Sequence, residues 1–218
     1  MTFAKPYSVE HPEEIAICDP EKELKWAEVD DVLNRCANGL QSLDLGPDVR
    51  IAVFAENAVE TAMANLGGLV AGASVVPVNF HLTAEEVNYI LGDSGTRVLF
   101  VGPETWERGV EAAQGTEVHT VVAWGAPDGA AVTSWSDWLA ANDAGEPDQS
   151  VPPRPNLLYT SGTTGRPKGT DLPPTMFAGG ATVDEHLANF KAGVLERSGG
   201  VIGPQLVVGP MYHTGPLS

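Results

Sequence analysis

Short runs of apolar residues alternate along the chain with segments in which apolar residues recur every three or four positions. The second pattern predicts a helix over residues 26–43. Its apolar stripe comprises Val29, Val32, Leu33, Cys36, Leu40 and Leu43. Continuous apolar runs predict buried strands at residues 51–55, 74–78, 97–101 and 118–123. Further helices are predicted at residues 57–71, 84–90 and 104–113, and a short one after Ser134.

Two of these helices begin with a local sequence signal. Asn57 precedes the segment that reaches about residue 71, so we predict that its side chain caps that helix. Thr83 and Glu86 form a capping box, because each side chain can satisfy the main-chain amide of the other. Trp135 and Trp138, three positions apart in the short helix, are expected to pack on the core rather than to bind a ligand.

Apolar strands that alternate with helices are typical of a parallel sheet covered on both faces. The pattern therefore predicts an α/β fold with doubly wound, mostly parallel sheet layers flanked by helices. Residues 142–155 are rich in Asp, Glu, Gly and Pro, which indicates a linker or surface loop. We accordingly predict an N-terminal α/β subdomain over residues 1–155 and the start of a second subdomain over residues 156–218.

The charge of the 218-residue chain is strongly acidic, with 12 Lys and Arg against 29 Asp and Glu and a formal net charge of -17. General nucleic-acid binding and binding to anionic lipid both need a basic surface and are disfavoured. The balance changes along the chain, since residues 151–218 carry only 4 acids but 5 bases. If this protein handles a polyanion such as a nucleotide triphosphate, this last segment is where we expect the site.

The sequence also gives expectations for the cellular location of the protein and for metal binding. The most apolar stretch, residues 62–78, includes Asn65 and Pro77 and is predicted to be a buried helix followed by a strand, not a membrane span. Residues 1–6 do not show the basic-then-apolar pattern of a secretory signal, so a cytoplasmic location is expected. The cysteines and histidines do not cluster at metal-ligand spacing, and we predict no metal ligand in this chain.

The chemistry is expected in the loop that follows a short strand pattern at residues 156–160. Three glycines, several hydroxyl residues and two cations, Arg166 and Lys168, fall within ten positions. Glycines let main-chain amides approach an anion, hydroxyls donate hydrogen bonds to it, and Lys168 supplies a positive charge. The pattern favours a phosphate-binding loop over a disordered Gly/Thr linker. It is not a Walker A loop, because Pro167 and Gly169 stand where that motif needs Gly and Ser or Thr.

Residues 158–169, LYTSGTTGRPKG, resemble the signature loop of the AMP-forming acyl-adenylate superfamily. This family comprises acyl-CoA synthetases, firefly-type luciferases and the adenylation domains of peptide synthetases. Residues 71–79 and 82–91 resemble its N-terminal subdomain, and residues 210–215, PMYHTG, resemble its next conserved box. Within the family, the sequence is most similar to bacterial fatty-acid CoA ligases. The resemblance implies the N-terminal portion of the acyl-adenylate-forming fold.

The resemblance also implies a reaction and a set of site residues. In the family, a carboxylate attacks the α-phosphate of ATP, acyl-AMP and pyrophosphate form, and the thiol of coenzyme A then displaces AMP. Lys168 is the implied catalytic residue, and His213 is expected to line the acyl pocket near the carboxylate. The implied ATP phosphate contacts are Thr160, Ser161, Gly162, Thr163, Thr164, Gly165 and Lys168. A hydrogen-bonded structural role is the alternative for His213.

Two features depart from the family pattern. The loop is followed by Thr170 and Asp171 instead of an aliphatic residue and a Thr-His pair, so we expect Pro173 or Pro174 to lie in the first turn of a rebuilt helix. In addition, family members are considerably longer. By resemblance, the Mg²⁺ ligand, the ribose-binding aspartate, the hinge and a C-terminal lysine would follow Ser218. We therefore expect a fragment that is inactive by itself.

Three functions remain open at this point. The first is the N-terminal portion of an acyl-CoA synthetase, and the second is that of an enzyme that loads a carrier protein. The third is a non-catalytic truncated domain. Residues 206–208, Leu-Val-Val, predict a buried strand whose neighbours would come later in the chain. We therefore expect the chain either to self-associate through this surface or to leave its final segment poorly ordered.

Overall fold

The computed structural model describes residues 4–43, 45, 48–160, 166–172, 178–197, 199 and 203–213. Its helices are α1 Lys5–Glu10, α2 Trp26–Ser42, α3 Val59–Val70, α4 Ala84–Ser94, α5 Trp106–Ala113, α6 Trp135–Ala140 and α7 Val183–Arg197. Its strands are β1 Ile15–Cys18, β2 Glu23–Lys25, β3 Arg50–Phe54, β4 Ser74–Val78, β5 Val98–Val101, β6 Thr120–Ala123, β7 Thr133–Ser134, β8 Leu157–Thr160 and β9 Lys168–Asp171. The helices and strands predicted before residue 160 are thus confirmed, with ends shifted by a few residues.

A parallel sheet forms the centre of the fold, with the spatial order β4-β3-β5-β6-β7. Ile51 of β3 lies opposite Val75 of β4 on one side and Val98 of β5 on the other. The chain winds outward from β3 to β4 and then crosses to β5, so the direction of winding reverses at β3. This is the topology of a doubly wound α/β fold, and the predicted fold class is confirmed.

Alternate residues of the central strands face two different apolar cores. Ile51 and Val53 of β3 pack in a core with side chains of α2, α3 and α6. Ala52 and Phe54 pack in a second core with side chains of α4 and α5. Because both faces are covered, residues 51–54 are all buried, which explains why this strand is continuously apolar in sequence.

Helix α4 begins and ends as its sequence predicts. The Thr83 hydroxyl accepts a hydrogen bond from the Glu86 amide, and a Glu86 carboxylate oxygen accepts one from the Thr83 amide at 2.8 Å. The capping box is therefore confirmed. The helix ends at Gly95, whose φ of 65° lies in the left-handed region that glycine adopts without strain.

The predicted cap of helix α3 is wrong. The N-cap residue is Ala58, one position after Asn57, and its side chain cannot accept a hydrogen bond. The first helical amide, that of Val59, instead donates at 2.8 Å to a carboxylate oxygen of Asp19, which follows β1. A residue 40 positions away thus caps this helix, and the side chain of Asn57 is available for other contacts.

Close helix packing explains the small residues of α3 and the inert cysteine of α2. A Cβ atom at Gly67 would lie 2.5 Å from the Cys36 sulfur, so only glycine permits this approach. Burial raises the pKa of the Cys36 thiol to about 12, which leaves it protonated and unreactive. Trp135 and Trp138 meet Phe100 edge-on in the same core, as predicted.

The acidic segment of residues 142–155 is a surface loop without helix or strand, as predicted. It is tied to α2 by polar side chains. Asn38 donates to the main-chain carbonyls of Asp143 and Gly145, and Gln41 exchanges hydrogen bonds with the main chain of Asp148. The division of the chain into subdomains near residue 155 stays a prediction.

The prediction of a buried strand at residues 206–208 is wrong. This segment has no strand assignment, and the side chains of Leu206 and Val208 are 86% and 88% exposed. Apolar and β-branched residues form a strand only where a neighbouring strand supplies hydrogen-bond partners, and no described strand pairs with this segment. The predicted helix start at Pro173 or Pro174 lies outside the described residues. No helix in the described ranges is long and apolar enough to cross a bilayer.

The cap supplied by Asp19 has a measurable effect on stability. We expect Asp19→Ala to lower the free energy of unfolding by about 1 kcal/mol at neutral pH, because the substitution leaves the Val59 amide without its acceptor. Chemical denaturation measures this change. Glu111→Ala, which removes an exposed acid from α5, is the control and should change it little.

The effect of Asp19→Ala should also depend on pH. Burial acts to raise the pKa of Asp19, but hydrogen bonds from the amides of Val59, Glu21 and Lys22 outweigh it and hold the pKa below its ordinary value of 3.8. A lowered folded-state pKa contributes stability that is complete above the ordinary value and is lost as the pH falls through the lowered one. The difference between wild type and variant should therefore shrink below about pH 4. A difference that grows in acid would contradict this assignment.

Candidate functional site

The loop predicted to bind phosphate is carried by an antiparallel hairpin of β8 and β9. Leu157 lies opposite Asp171 at one end of the hairpin, and Thr160 lies opposite Lys168 at the other. In between, Gly169 faces Tyr159 so closely that a Cβ at position 169 would lie 3.1 Å from the Tyr159 ring. Thr160 and Lys168, eight positions apart in sequence, are therefore brought together at the loop-bearing end.

Helix α4 holds this hairpin through two side chains one helical turn apart. The Tyr159 hydroxyl donates to a carboxylate oxygen of Asp93 at 2.6 Å. The Tyr89 hydroxyl donates to the Pro167 carbonyl at 3.2 Å, and the Arg166 guanidinium lies over the Tyr89 ring, 5.0 Å from its centroid. β8 and the residue that precedes β9 are thus fixed to a helix of the parallel-sheet layer.

The predicted phosphate contacts at the described ends of the loop are accessible. Thr160 and Lys168 are both exposed. Among the described residues, no carboxylate lies within ion-pair distance of the Lys168 ammonium group, although the chain as a whole is acidic. The other predicted contacts, Ser161, Gly162, Thr163, Thr164 and Gly165, lie outside the described residues.

The loop-bearing end of the hairpin points away from the amino-terminal edge of the sheet. Ser74, at the start of β4, donates to the carbonyl of Pro155, just before β8, at 2.7 Å. Asp171, which lies opposite Leu157 at the other end of the hairpin, lines a cavity with Arg50 and Ser74 at this same edge. Thr160 therefore lies toward the carboxyl end of the strands, where ligands of open α/β sheets bind.

A polar cavity of about 190 Å³ lies at the opposite, amino-terminal edge. It is lined by Asp48, Arg50, Ser74, Arg154, Pro155 and Asp171. Its two guanidinium groups already donate to main-chain carbonyls, Arg50 to Ser94 and Arg154 to Gly72. With two acids beside two bases, this cavity offers no net positive charge to a polyphosphate.

His213 lies on the carboxyl edge of the sheet, in a turn closed by its own amide, which donates to the Pro210 carbonyl at 3.0 Å. Its ring centroid is 4.5 Å from that of Tyr212. Tyr212 in turn meets Phe80, which follows β4, edge-on at 5.9 Å. The His213 side chain is exposed, and the described contacts of this residue are with its own turn rather than with Lys168.

A buried histidine on α7 has a structural contact instead of a ligand. His186 is 4% exposed, and its Nδ1 lies 2.8 Å from the Gly179 carbonyl. In the part of the chain that the structure describes, no group of three or more His, Cys, Asp or Glu side chains could hold a metal ion.

Comparison with known proteins identifies the family. The family model described as AMP-binding enzyme matches residues 7–173, which is most of the chain and includes the hairpin and its loop. This chain belongs to the AMP-binding enzyme family. The family resemblance of the loop sequence is thereby confirmed, whereas the roles of individual site residues stay predictions.

Relatives within the AMP-binding family include both CoA ligases and carrier-protein ligases. The chain is 36% identical over 149 residues to the long-chain-fatty-acid–CoA ligase FadD13 of Mycobacterium tuberculosis, covering 67% of this chain and 29% of that protein. It is 37% identical over 142 residues to the fatty acid–[acyl-carrier-protein] ligase ScoC of Streptomyces coeruleorubidus, covering 64% of this chain and 26% of that protein. The chain thus spans less than a third of the length of these relatives.

A solved structure shares the fold of this chain. The inhibitor-bound N-terminal domain of FACL13 from Mycobacterium tuberculosis superposes with a TM-score of 0.72 at 24% identity. The match covers 98% of this chain and 52% of that domain. At this identity, the likeness shows the fold alone.

Sequence reasoning missed the side chains that hold the site residues in place. Asp93 and Tyr89 contact the hairpin from 66 and 78 positions earlier in the chain, and no local pattern marks such long-range contacts. The sequence predicts that Asn57 caps a helix, whereas in the structure its side chain contacts the turn that carries His213. The one available signal was the spacing of Tyr89 and Asp93, which puts both side chains on one face of a helix.

The contact between Tyr159 and Asp93 should stabilise the hairpin. Tyr159→Phe removes the hydroxyl but keeps the ring that packs on Gly169. We expect the free energy of unfolding to fall by about 1 kcal/mol, below the usual range for hydrogen bonds to charged groups because the phenol is only half-buried. Denaturant unfolding measures this change. Tyr7→Phe, in a ring that stacks on Trp26, is the matched control.

The same pair makes a prediction for alkaline pH. Burial, followed by the hydrogen bond to Asp93 and its charge, raises the pKa of Tyr159 above its ordinary value of 10.0. A raised folded-state pKa contributes stability that is complete below the ordinary value and is lost as the pH rises toward the raised one. The stability difference between wild type and Tyr159→Phe should be constant near neutrality and shrink above about pH 10. A constant difference up to pH 12 would count against the contact.

Proposed function

We propose that this chain supplies the triphosphate-binding loop and the acyl-pocket histidine of an enzyme that activates a carboxylic acid with ATP. The carboxylate oxygen attacks the α-phosphorus, the bond to the bridging oxygen breaks, and acyl-AMP and pyrophosphate form. A thiol then attacks the acyl carbon, loses its proton and displaces AMP. The observation that carries the proposal is the exposed Thr160–Lys168 pair at the loop-bearing end of a hairpin inside the family match.

The charge of Lys168 suits the first half of this reaction. Negative charge accumulates on the leaving pyrophosphate, and a preorganised cation stabilises that charge more in the transition state than in the bound substrate. Its side chain is exposed, and its main chain is paired with Thr160 across the hairpin. We therefore assign Lys168 a role in the adenylation step, with Thr160 and residues 161–165 as further donors to the phosphates.

His213 is assigned to the other substrate. Its turn lies at the carboxyl edge of β3 and β4, the side of the sheet toward which the loop-bearing end of the hairpin points. An exposed imidazole there can donate a hydrogen bond to the carboxylate of the acid. Mg²⁺ accompanies ATP in this proposal, and its protein ligands are expected outside this chain.

A long-chain fatty acid is the proposed acid and coenzyme A the proposed acceptor, in line with the name of the FadD13 relative. A carrier-protein thiol is the second candidate acceptor, because the ScoC relative is named for that reaction and is equally similar. Both reactions share the acyl-AMP step and differ only in the attacking thiol. Since ATP and coenzyme A are cytoplasmic metabolites, we also propose a cytoplasmic location.

The reaction can be tested by AMP release. The whole protein, incubated with ATP, Mg²⁺, palmitate and coenzyme A, should release AMP in a palmitate-dependent manner, and replacing coenzyme A by a phosphopantetheinylated carrier protein decides between the two acceptors. The 218-residue chain by itself is expected to release none. Absence of AMP from the whole protein with both acceptors and a panel of carboxylic acids would refute the proposed function and favour a non-catalytic domain.

Lys168→Ala tests whether Lys168 acts on the phosphates of ATP rather than on binding of the acid. We expect carboxylate-dependent ATP–pyrophosphate exchange in the whole protein to fall by about a hundredfold, with a much smaller change in the KM for the acid. Lys191→Ala removes the same charge from α7, where the ammonium group lies over the Tyr7 ring, and is the matched control. Equal exchange rates in wild type and Lys168→Ala would remove Lys168 from the mechanism.

A further inference from the structure

Asn57 connects the central strand of the sheet to the turn that carries His213. Its side-chain amide donates to the Gly209 carbonyl at 2.9 Å. Its side-chain oxygen accepts from the Met211 amide at 2.8 Å. One side chain thus uses its donor and its acceptor on the main chain of a segment more than 150 positions away.

Helix α3 does not need this side chain. The helix begins at Val59, and the amide of Val59 is satisfied by Asp19. Asn57 is exposed, so it does not fill the core either. Its described hydrogen bonds are with Met211, in the turn of residues 210–213, and with Gly209, the residue before that turn. The structure therefore indicates that Asn57 holds the turn.

The position of Asn57 makes it a rigid point of attachment. It lies three residues after Phe54, the last residue of β3, and β3 is paired on both sides and buried on both faces. A second contact supports the turn from Phe80, which follows β4 and meets the Tyr212 ring edge-on. Met211 is 9% exposed, whereas His213 is exposed. The turn is therefore held on its sheet side and presents the imidazole on its other side.

We propose that Asn57 is the positioning residue that fixes the turn of residues 210–213, and with it His213, at the carboxyl edge of β3. The orientation of His213 toward the carboxylate rests on the proposed function, whereas the attachment of the turn does not. Asn57 touches neither substrate in this scheme. It acts by limiting where the His213 main chain can lie, and small displacements of a substrate-binding group are costly to a reaction that depends on alignment.

Hydrogen exchange of the Met211 amide tests the attachment in the 218-residue chain. Asn57→Ala should reduce the protection of this amide about fivefold, the factor expected when one ordinary hydrogen bond is lost. Asn57→Asp keeps an oxygen that can accept from Met211 and loses the donor to Gly209, so protection should fall less. Asn38→Ala is the matched control, because the partly exposed side chain of Asn38 likewise makes two hydrogen bonds to main-chain groups more than 100 positions away.

Kinetics of the whole protein test the consequence for His213. In ATP–pyrophosphate exchange, Asn57→Ala should raise the KM for the acid about tenfold and leave the KM for ATP within about twofold, whereas Asn38→Ala should change neither. A merely structural role would instead raise both KM values together with a lower melting temperature, and that result would overturn the proposal.

The hydrogen-exchange and kinetic measurements test two separate claims, the attachment of the turn and its consequence for catalysis. If wild-type protein shows no acid-dependent exchange, the proposed function is wrong, and the Met211 amide still decides whether Asn57 holds the turn. Unchanged Met211 protection in Asn57→Ala would overturn the attachment, whatever the activity of the wild type. Reduced protection confined to Met211 and its neighbours would support it.

Discussion

The burial of β3 on both faces is the constraint on which the rest of the structure depends. Residues 51–54 pack into two cores and pair with a parallel strand on either side. A strand held in this way can neither slip in register nor tilt without losing contacts in both cores. Its carboxyl end is therefore a fixed position. Asn57 and Phe80, which follow β3 and β4, are therefore held in place. Their contacts with the turn of residues 210–213 fix that turn in the same way.

The second predicted site element is held less firmly. The β8–β9 hairpin packs on β4 through Leu157 and is fixed to α4 by polar contacts of Tyr89 and Asp93, each of which contributes about 1 kcal/mol. Such a unit can open locally at a small cost, while the parallel sheet cannot. Local opening of the hairpin is compatible with the phosphate-binding role proposed for Thr160 and Lys168. Although the chain is acidic, Lys168 is exposed and forms no ion pair with a carboxylate of the described residues.

The elements that the sequence predicted are those with a local physical cause. A continuously apolar strand reflects burial on both of its faces, and an apolar helical stripe reflects burial on one. The Thr83 capping box needs only four consecutive residues. The errors come from contacts between distant segments. Asn57 is a residue type that favours the N-cap position, but it is Asp19, 40 positions away, that accepts the hydrogen bond from the first amide of helix α3. Residues 206–208 have strand propensity, but no described strand lies beside them. Tyr159 and Asp93 are 66 positions apart, and the sequence indicates only that Asp93 shares a helix face with Tyr89.

The central claim is that polyphosphate binds at the carboxyl edge of the sheet, between the hairpin and the parallel strands. An amide NMR titration of the 218-residue chain with Mg·ATP at millimolar concentration tests it most directly, because each residue reports separately. We expect the amides of Thr160 and Lys168 to shift together and to saturate with one dissociation constant, and we expect Lys168→Ala to weaken this binding. Saturable shifts confined to the cavity of Arg50 and Arg154, with Thr160 and Lys168 unchanged, would contradict it.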